Sequence, residues 1–181
     1  GNVLQINVGA PSHLESDRVV REVELLFSFT DSETGDPVVL EGFQVTFLDL
    51  DQGDANSNGQ TCVAFPANGI DGGIVEMSQA AAPKTPGVVI DADRKRGGWL
   101  RACGQSLNDK SGSLTDPLAL TDDQRTRAIG LGFSGVSSFR AVLSVRGHHE
   151  AGRNFRIAGV SNVLSACDGS SLRLNDTIAE D

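Results

Sequence analysis

Residues 42–54 read Gly42-Phe43-Gln44-Val45-Thr46-Phe47-Leu48-Asp49-Leu50-Asp51-Gln52-Gly53-Asp54, and they decide the fold class. Phe43, Val45 and Phe47 fall on one side, and Gln44, Thr46 and Leu48 on the other. That is the two-residue period of a β-strand, not the 3.6-residue period of a helix. The strand runs into Asp49 and Asp51. Side chains two apart on a strand share a face, so both carboxylates are expected to leave on one side. A loop rich in oxygen ligands follows, with Asp54, Asn56, Ser57 and Asn58.

The same alternation recurs in both directions. Upstream, Val23, Leu25, Phe27 and Phe29 alternate with Glu22, Glu24, Leu26 and Ser28. A helix capped by Asp17 competes over Asp17 to Leu26, but four apolar positions at period two favour the strand. Leu4, Ile6 and Val8 mark a first strand, and the acidic stretch Thr30 to Pro37 a turn. Downstream, short strands are expected at 61–65, 74–77, 88–90, 99–103, 129–133, 139–145 and 155–159, with 160–164 continuing or following the last. Residues 91–98 and 147–153 read as turns. Thr121-Asp122-Asp123-Gln124 fits a capping box, which predicts one short helix near 121–127. Turn signals recur about every ten residues, the pattern of a β-sandwich or jelly roll. The expectation is an all-β, antiparallel, jelly-roll-like β-sandwich: one domain over residues 1–165 and a polar tail over 166–181.

Composition narrows the function. The chain has 181 residues, 21 of them glycine, and a net charge of -9. Such a charge argues against nucleic acid as a partner, which wants a basic face. No apolar run is long enough for a membrane-spanning helix. The chain opens at Gly1 and shows no signal peptide, as a mature or trimmed form would. Tyrosine is absent and Trp99 is the single tryptophan, which counts modestly against a lectin. The three cysteines, Cys62, Cys103 and Cys167, lack the paired spacing of a zinc site. Three pairings are open, as is a fully reduced state. Cys62 with Cys103 is the favoured pair, both being placed in turn-rich, polar connections.

Asp49, Asp51, Asp54, Asn56 and Asn58 offer hard oxygen ligands of the kind calcium takes, so a calcium site is one expectation there. It is not an EF-hand: the twelfth position is Gln60 and flanking helices are missing. A distant carboxylate such as Asp71 or Glu76 would complete a sandwich-type site. The competing reading is a solvated acidic turn. His148-His149-Glu150 resembles a metal motif, yet adjacent side chains on extended chain point apart, and His13 is isolated. There is no Gly-x-Ser-x-Gly elbow and no phosphate-binding glycine loop. Asp49 and Asp51 are too close in sequence to flank a glycosidic bond. No catalytic residues are therefore assigned, and the chain reads as non-enzymatic. Arg94-Lys95-Arg96 reads as a solvated turn or a contact for an acidic partner. Asn175-Asp176-Thr177 is a glycosylation sequon.

Phe43-Gln-Val-Thr-Phe-Leu-Asp-Leu-Asp-Gln-Gly53 resembles a Phe-x-Phe-x-Asp-x-Asp-x-Gly signature. It is similar to uncharacterised secreted or cell-surface β domains of marine single-celled algae and some bacteria. Asp116 to Arg127 (Asp-Pro-Leu-Ala-Leu-Thr-Asp-Asp-Gln-Arg-Thr-Arg) and Gly152 to Gly159 (Gly-Arg-Asn-Phe-Arg-Ile-Ala-Gly) resemble that family's two later motifs. The resemblance covers residues 20 to 160, with Asp54 to Gly98 unmatched. It implies an extracellular or surface β module and carries no activity. It also implies that Arg153 and Asn154 brace a turn, Arg153 as counter-ion to Asp49 and Asp51, Asn154 as an amide bonding to backbone.

Three functions are weighed on these grounds. The first is a secreted structural or assembly module of a surface layer, filament or appendage, partnered by its own copies or by neighbouring surface proteins. The second is a carbohydrate-binding module, which requires Trp99 exposed beside Asp and Asn side chains in a groove. The third, a hydrolase, requires a carboxylate pair or a His–Ser contact in a pocket.

Overall fold

Strands form where the sequence alternates, because each presents one apolar face that only a second layer can bury. The computed structural model describes residues 3–9, 20–52, 59–67, 74–78, 87–105, 120–146 and 153–161. These hold β1 (Leu4–Val8), β2 (Val20–Ser28), β3 (Phe43–Leu48), β4 (Gln60–Pro66), β5 (Ile74–Ser78), β6 (Val88–Ala92) and β7 (Trp99–Gly104). A short helix, α1 (Asp122–Thr126), precedes β8 (Ile129–Phe133), β9 (Ser138–Arg146) and β10 (Arg153–Ser161). The chain is thus an all-β sandwich, with one short helix among the described residues, as its patterning predicts.

One five-stranded sheet runs β1-β10-β3-β8-β5 and the other β2-β9-β4-β7-β6. Their ladders are antiparallel throughout. Four of the pairings, β1 with β10, β2 with β9, β3 with β8 and β4 with β7, describe one long hairpin. Successive pairs of that hairpin fall alternately in the two sheets, which is the wrapping of a jelly roll. Near the hairpin's tip, β5 extends the first sheet beside β8 and β6 extends the second beside β7.

The inner faces meet in one core. Val45 and Phe47 of β3, Ile129 and Leu131 of β8, and Phe155 and Ile157 of β10 pack in it with Val63, Phe65, Ala141 and Leu143. Five phenylalanines tie the layers together at one end. Phe27 stacks on Phe139 with centroids 4.5 Å apart, Phe133 lies 5.0 Å from Phe139, and Phe29 meets Phe43 edge-on at 4.7 Å. Aromatic pairs at such spacings add about 0.5–1.5 kcal/mol each beyond their burial.

The helix carries the capping box read from its sequence. Thr121 Oγ1 accepts from the Gln124 amide and Gln124 Oε1 accepts from the Thr121 amide. Two expectations change. Arg153, read as the end of a turn, instead opens β10 together with Asn154, because Val8 and Asn7 of β1 pair with them. The cysteines are not in turn-rich connections either. Cys62 and Cys103 lie directly opposite each other in β4 and β7 and are bonded, with Cα atoms 4.1 Å apart. Cys167, the sequon at Asn175 and the remainder of residues 166–181 fall outside the described residues.

The Cys62–Cys103 bond closes a loop 41 residues apart in sequence. Replacing both cysteines with alanine is expected to lower the unfolding free energy by about 4 kcal/mol by loss of chain restraint in the unfolded state. Urea unfolding of the two proteins measures it.

Candidate functional site

The acidic end of β3 is a charged corner closed by arginines. The strand stops at Leu48, and Asp49 takes a left-handed backbone with φ 65°. Aspartate tolerates this conformation better than most residues. The turn interrupts the strand's alternation at Asp49, and the two carboxylates form their ion pairs with different arginines. Asp51 is buried and ion-paired to Arg153, which shares the inward face of β10 with Phe155 and Ile157. Asp49 is one-third exposed and receives Arg127 Nη1 at 3.6 Å and Arg156 Nη1 at 3.7 Å, the latter from the opposite face of β10. Arg127 follows α1 and also holds Asp123, at 2.6 Å. Burial pulls the Arg153 guanidinium below its ordinary pKa, against the charge of Asp49.

Backbone contacts fix the corner. The Leu50 amide donates to the Arg127 carbonyl at 2.9 Å. Thr61 Oγ1 accepts from the Asp51 amide at 2.8 Å and donates to its carbonyl at 3.1 Å, while the Thr61 amide donates to the same carbonyl at 2.9 Å. From β7, Gly104 comes so close that a Cβ there would lie 2.3 Å from the Asp51 nitrogen, so only glycine fits. Asn154 points outward, and its Oδ1 accepts from Asn7 Nδ2 of β1 at 2.9 Å. That contact is side chain to side chain, where the resemblance implies a backbone partner.

Asp49 and Asp51, expected among the calcium ligands, are engaged by arginines. Both carboxylates already face guanidinium groups, whose positive charge opposes a divalent cation beside them. Among the described residues no group of three or more His, Cys, Asp or Glu side chains is placed to hold a metal. Asp54, Asn56, Asn58, Asp71, His13 and the His148-His149-Glu150 run lie outside the described residues. Glu76 lies in β5, beside Gly132 of β8.

A second charged cluster sits on the outer face of the other sheet. Glu22 of β2 accepts from Lys95 Nζ at 3.3 Å, Arg96 Nη2 at 3.0 Å and Arg101 Nη2 at 3.4 Å. Behind it, buried Asp93 holds Arg96 Nη1 at 3.2 Å and Arg101 Nη2 at 3.1 Å, and accepts from the Lys95 amide at 2.9 Å. Two of the three residues of the basic run therefore face internal carboxylates. Arg96 also lies over Trp99, its guanidinium carbon 5.7 Å from the ring centroid. Trp99 is half-buried, and Arg96 occupies a ring face that a sugar would stack on.

Sequence reasoning missed Arg127, Arg156, Thr61 and Gly104 at the first cluster, and Glu22, Asp93 and Arg101 at the second. The one local signal was the four-residue spacing of Asp123 and Arg127 across α1. No protein-family model matches the chain, and no curated protein or solved structure matches it.

Two expectations follow. Exchanging Asp51 for Asn leaves Arg153 buried beside a neutral amide, so stability is expected to fall by about 3 kcal/mol. The loss should be the same in EDTA and in calcium; a loss seen only with calcium would point to a bound ion. The second concerns pH. Burial raises the Glu22 and Asp93 pKa values, but for Glu22 the Arg96 and Lys95 contacts, and for Asp93 the Lys95 amide and Arg101, outweigh it and hold both below the ordinary range. Groups depressed in this way stabilise the fold above their unfolded pKa, and that contribution is lost as pH falls through the folded value. Urea midpoints of wild type and Glu22→Gln should differ near neutrality and converge below about pH 4.

Proposed function

We propose that this chain is a non-catalytic extracellular β module that joins a surface layer, filament or appendage by association with its own copies or neighbouring surface proteins. The observation that carries this reading is the second sheet's edge. Among the described residues β2 pairs only with β9, and none of them pairs with the other side of this nine-residue strand. That strand also exposes Leu26, at 60% of its surface. An open edge of this length is a ready template for another chain.

Three further features support it. A disulfide suits an oxidising compartment. No helix among the described residues is long and apolar enough to cross a membrane. The acidic groups at both charged clusters are engaged by arginines, a bracing arrangement. Calcium enters this reading through the loop after Asp51, where Asp54, Asn56 and Asn58 supply oxygens to an ion that the sequence alone suggests.

Sedimentation over a range of concentrations tests the proposal. Wild type is expected to self-associate, and Leu26→Lys to shift the equilibrium toward monomer at least tenfold, about 1.4 kcal/mol. A strict monomer at every concentration, with no capture of neighbouring surface proteins, would overturn it.

A further inference from the structure

The contact between Arg101 and Glu22 has to cross two strands. In the order β2-β9-β4-β7-β6, β7 and β2 stand three strand spacings apart, about 14 Å. Arg101 Nη2 nevertheless lies 3.4 Å from Glu22 Oε1. The Arg101 side chain therefore stretches over the outward positions of β4 and β9. One row across that face runs Glu22, Ser144, Cys62, Cys103, Val89, and the next runs Glu24, Val142, Ala64, Arg101, Asp91. The middle positions are small side chains, and Cys62, Ala64, Val142 and Ser144 are almost wholly buried although they face away from the core, while Cys103 beside them is part-exposed. The turn between β6 and β7 reaches the same carboxylate through Lys95 and Arg96. A single glutamate thus anchors both the turn and the long side chain laid over the disulfide row.

The closed arrangement is not fully satisfied. Ser144 Oγ and Arg101 Nε are buried with no hydrogen-bond partner among the described residues. Opening would hydrate both, so the ion pairs at Glu22 work against groups that favour release.

We infer that Arg101 and the β6–β7 turn form a strap over the Cys62 side of the Cys62–Cys103 disulfide, latched by Glu22, and that unlatching opens that side of the bond to reductants while the sandwich stays folded. The groups facing Glu22 are Lys95 and Arg96 from the turn and Arg101 from β7, with Asp93 behind them. On its other neighbour, β9, Arg140 pairs with Glu24 and Arg146 stands one pair further along. The chemistry uncovered is thiol–disulfide exchange. A thiolate of an external dithiol attacks one sulfur and releases the other as a thiolate. The reagent's second thiolate then displaces the first cysteine, leaving two protein thiols and an oxidised cyclic reagent.

The test follows reduction of the native protein by dithiothreitol at pH 7.5 in wild type, Glu22→Gln and Glu24→Gln. Glu22→Gln is expected to be reduced about tenfold faster, and faster than its own global unfolding, as loss of a charge-assisted anchor implies. Glu24→Gln, whose partner Arg140 lies outside the strap, should match wild type. Equal rates in wild type and Glu22→Gln would overturn the inference, as would reduction of Glu22→Gln no faster than it unfolds. Should Glu22→Gln fail to fold, wild type in 1 M sodium chloride carries the same test, since about that concentration screens partly exposed pairs. Acceleration without unfolding supports the strap, and an unchanged rate overturns it.

Discussion

The structure depends on one constraint: the two halves of the chain must pair along their whole length before either sheet has an inner face to bury. Phe47 of β3 reaches its neighbours only when β8 and β10, far along the chain, have arrived on both sides of it. The same holds for Val63 and Phe65 of β4, which lie between β9 and β7. Each layer supplies half of a common core, so neither is stable alone. Pairings this distant in sequence are slow to close. The disulfide, joining the innermost pair of the long hairpin, holds the part of the fold that the other pairs build upon.

The charged corner after β3 serves that arrangement. A chain that leaves a central strand must turn out of the sheet without leaving backbone groups unpaired in the interior. Here the Leu50 amide finds the Arg127 carbonyl, just past α1, and the Asp51 amide and carbonyl find Thr61 of β4. The buried Asp51 carboxylate meets a guanidinium from the neighbouring strand. The corner thereby sets where β3 ends and how closely β4 and β7 approach it.

What the sequence discloses follows the range of the physics involved. The alternation of Phe43, Val45 and Phe47 is a local property of extended chain, and the strand is legible from it. The capping box at Thr121 spans three residues and is equally legible. The pairing of the cysteines was favoured correctly, but from a mistaken idea of their surroundings, since register is set by whole strands. The left-handed turn at Asp49 has no local marker, because nothing about aspartate demands it. Past that turn Asp49 is paired with Arg127 and Arg156, and Asp51 with Arg153. Contacts such as Arg101 with Glu22, 79 residues apart, are invisible until the strand order is known. Gly104 reads as an ordinary strand-end glycine until the backbone of Asp51 is found against it.

The pairing of β1 with β10 has a mechanical side. Leu4, at the start of β1, lies opposite Ile157, toward the far end of β10. The first and last strands thus enter and leave the sheet at the same end. Tension applied between them unzips the ladder one rung after another instead of shearing many rungs at once. The peeling would run inward through the outer pairs of the hairpin until it met the bond between Cys62 and Cys103. Beyond that point the segment between the two cysteines bears no load, so the covalent link sets the furthest extension the described fold can yield under force.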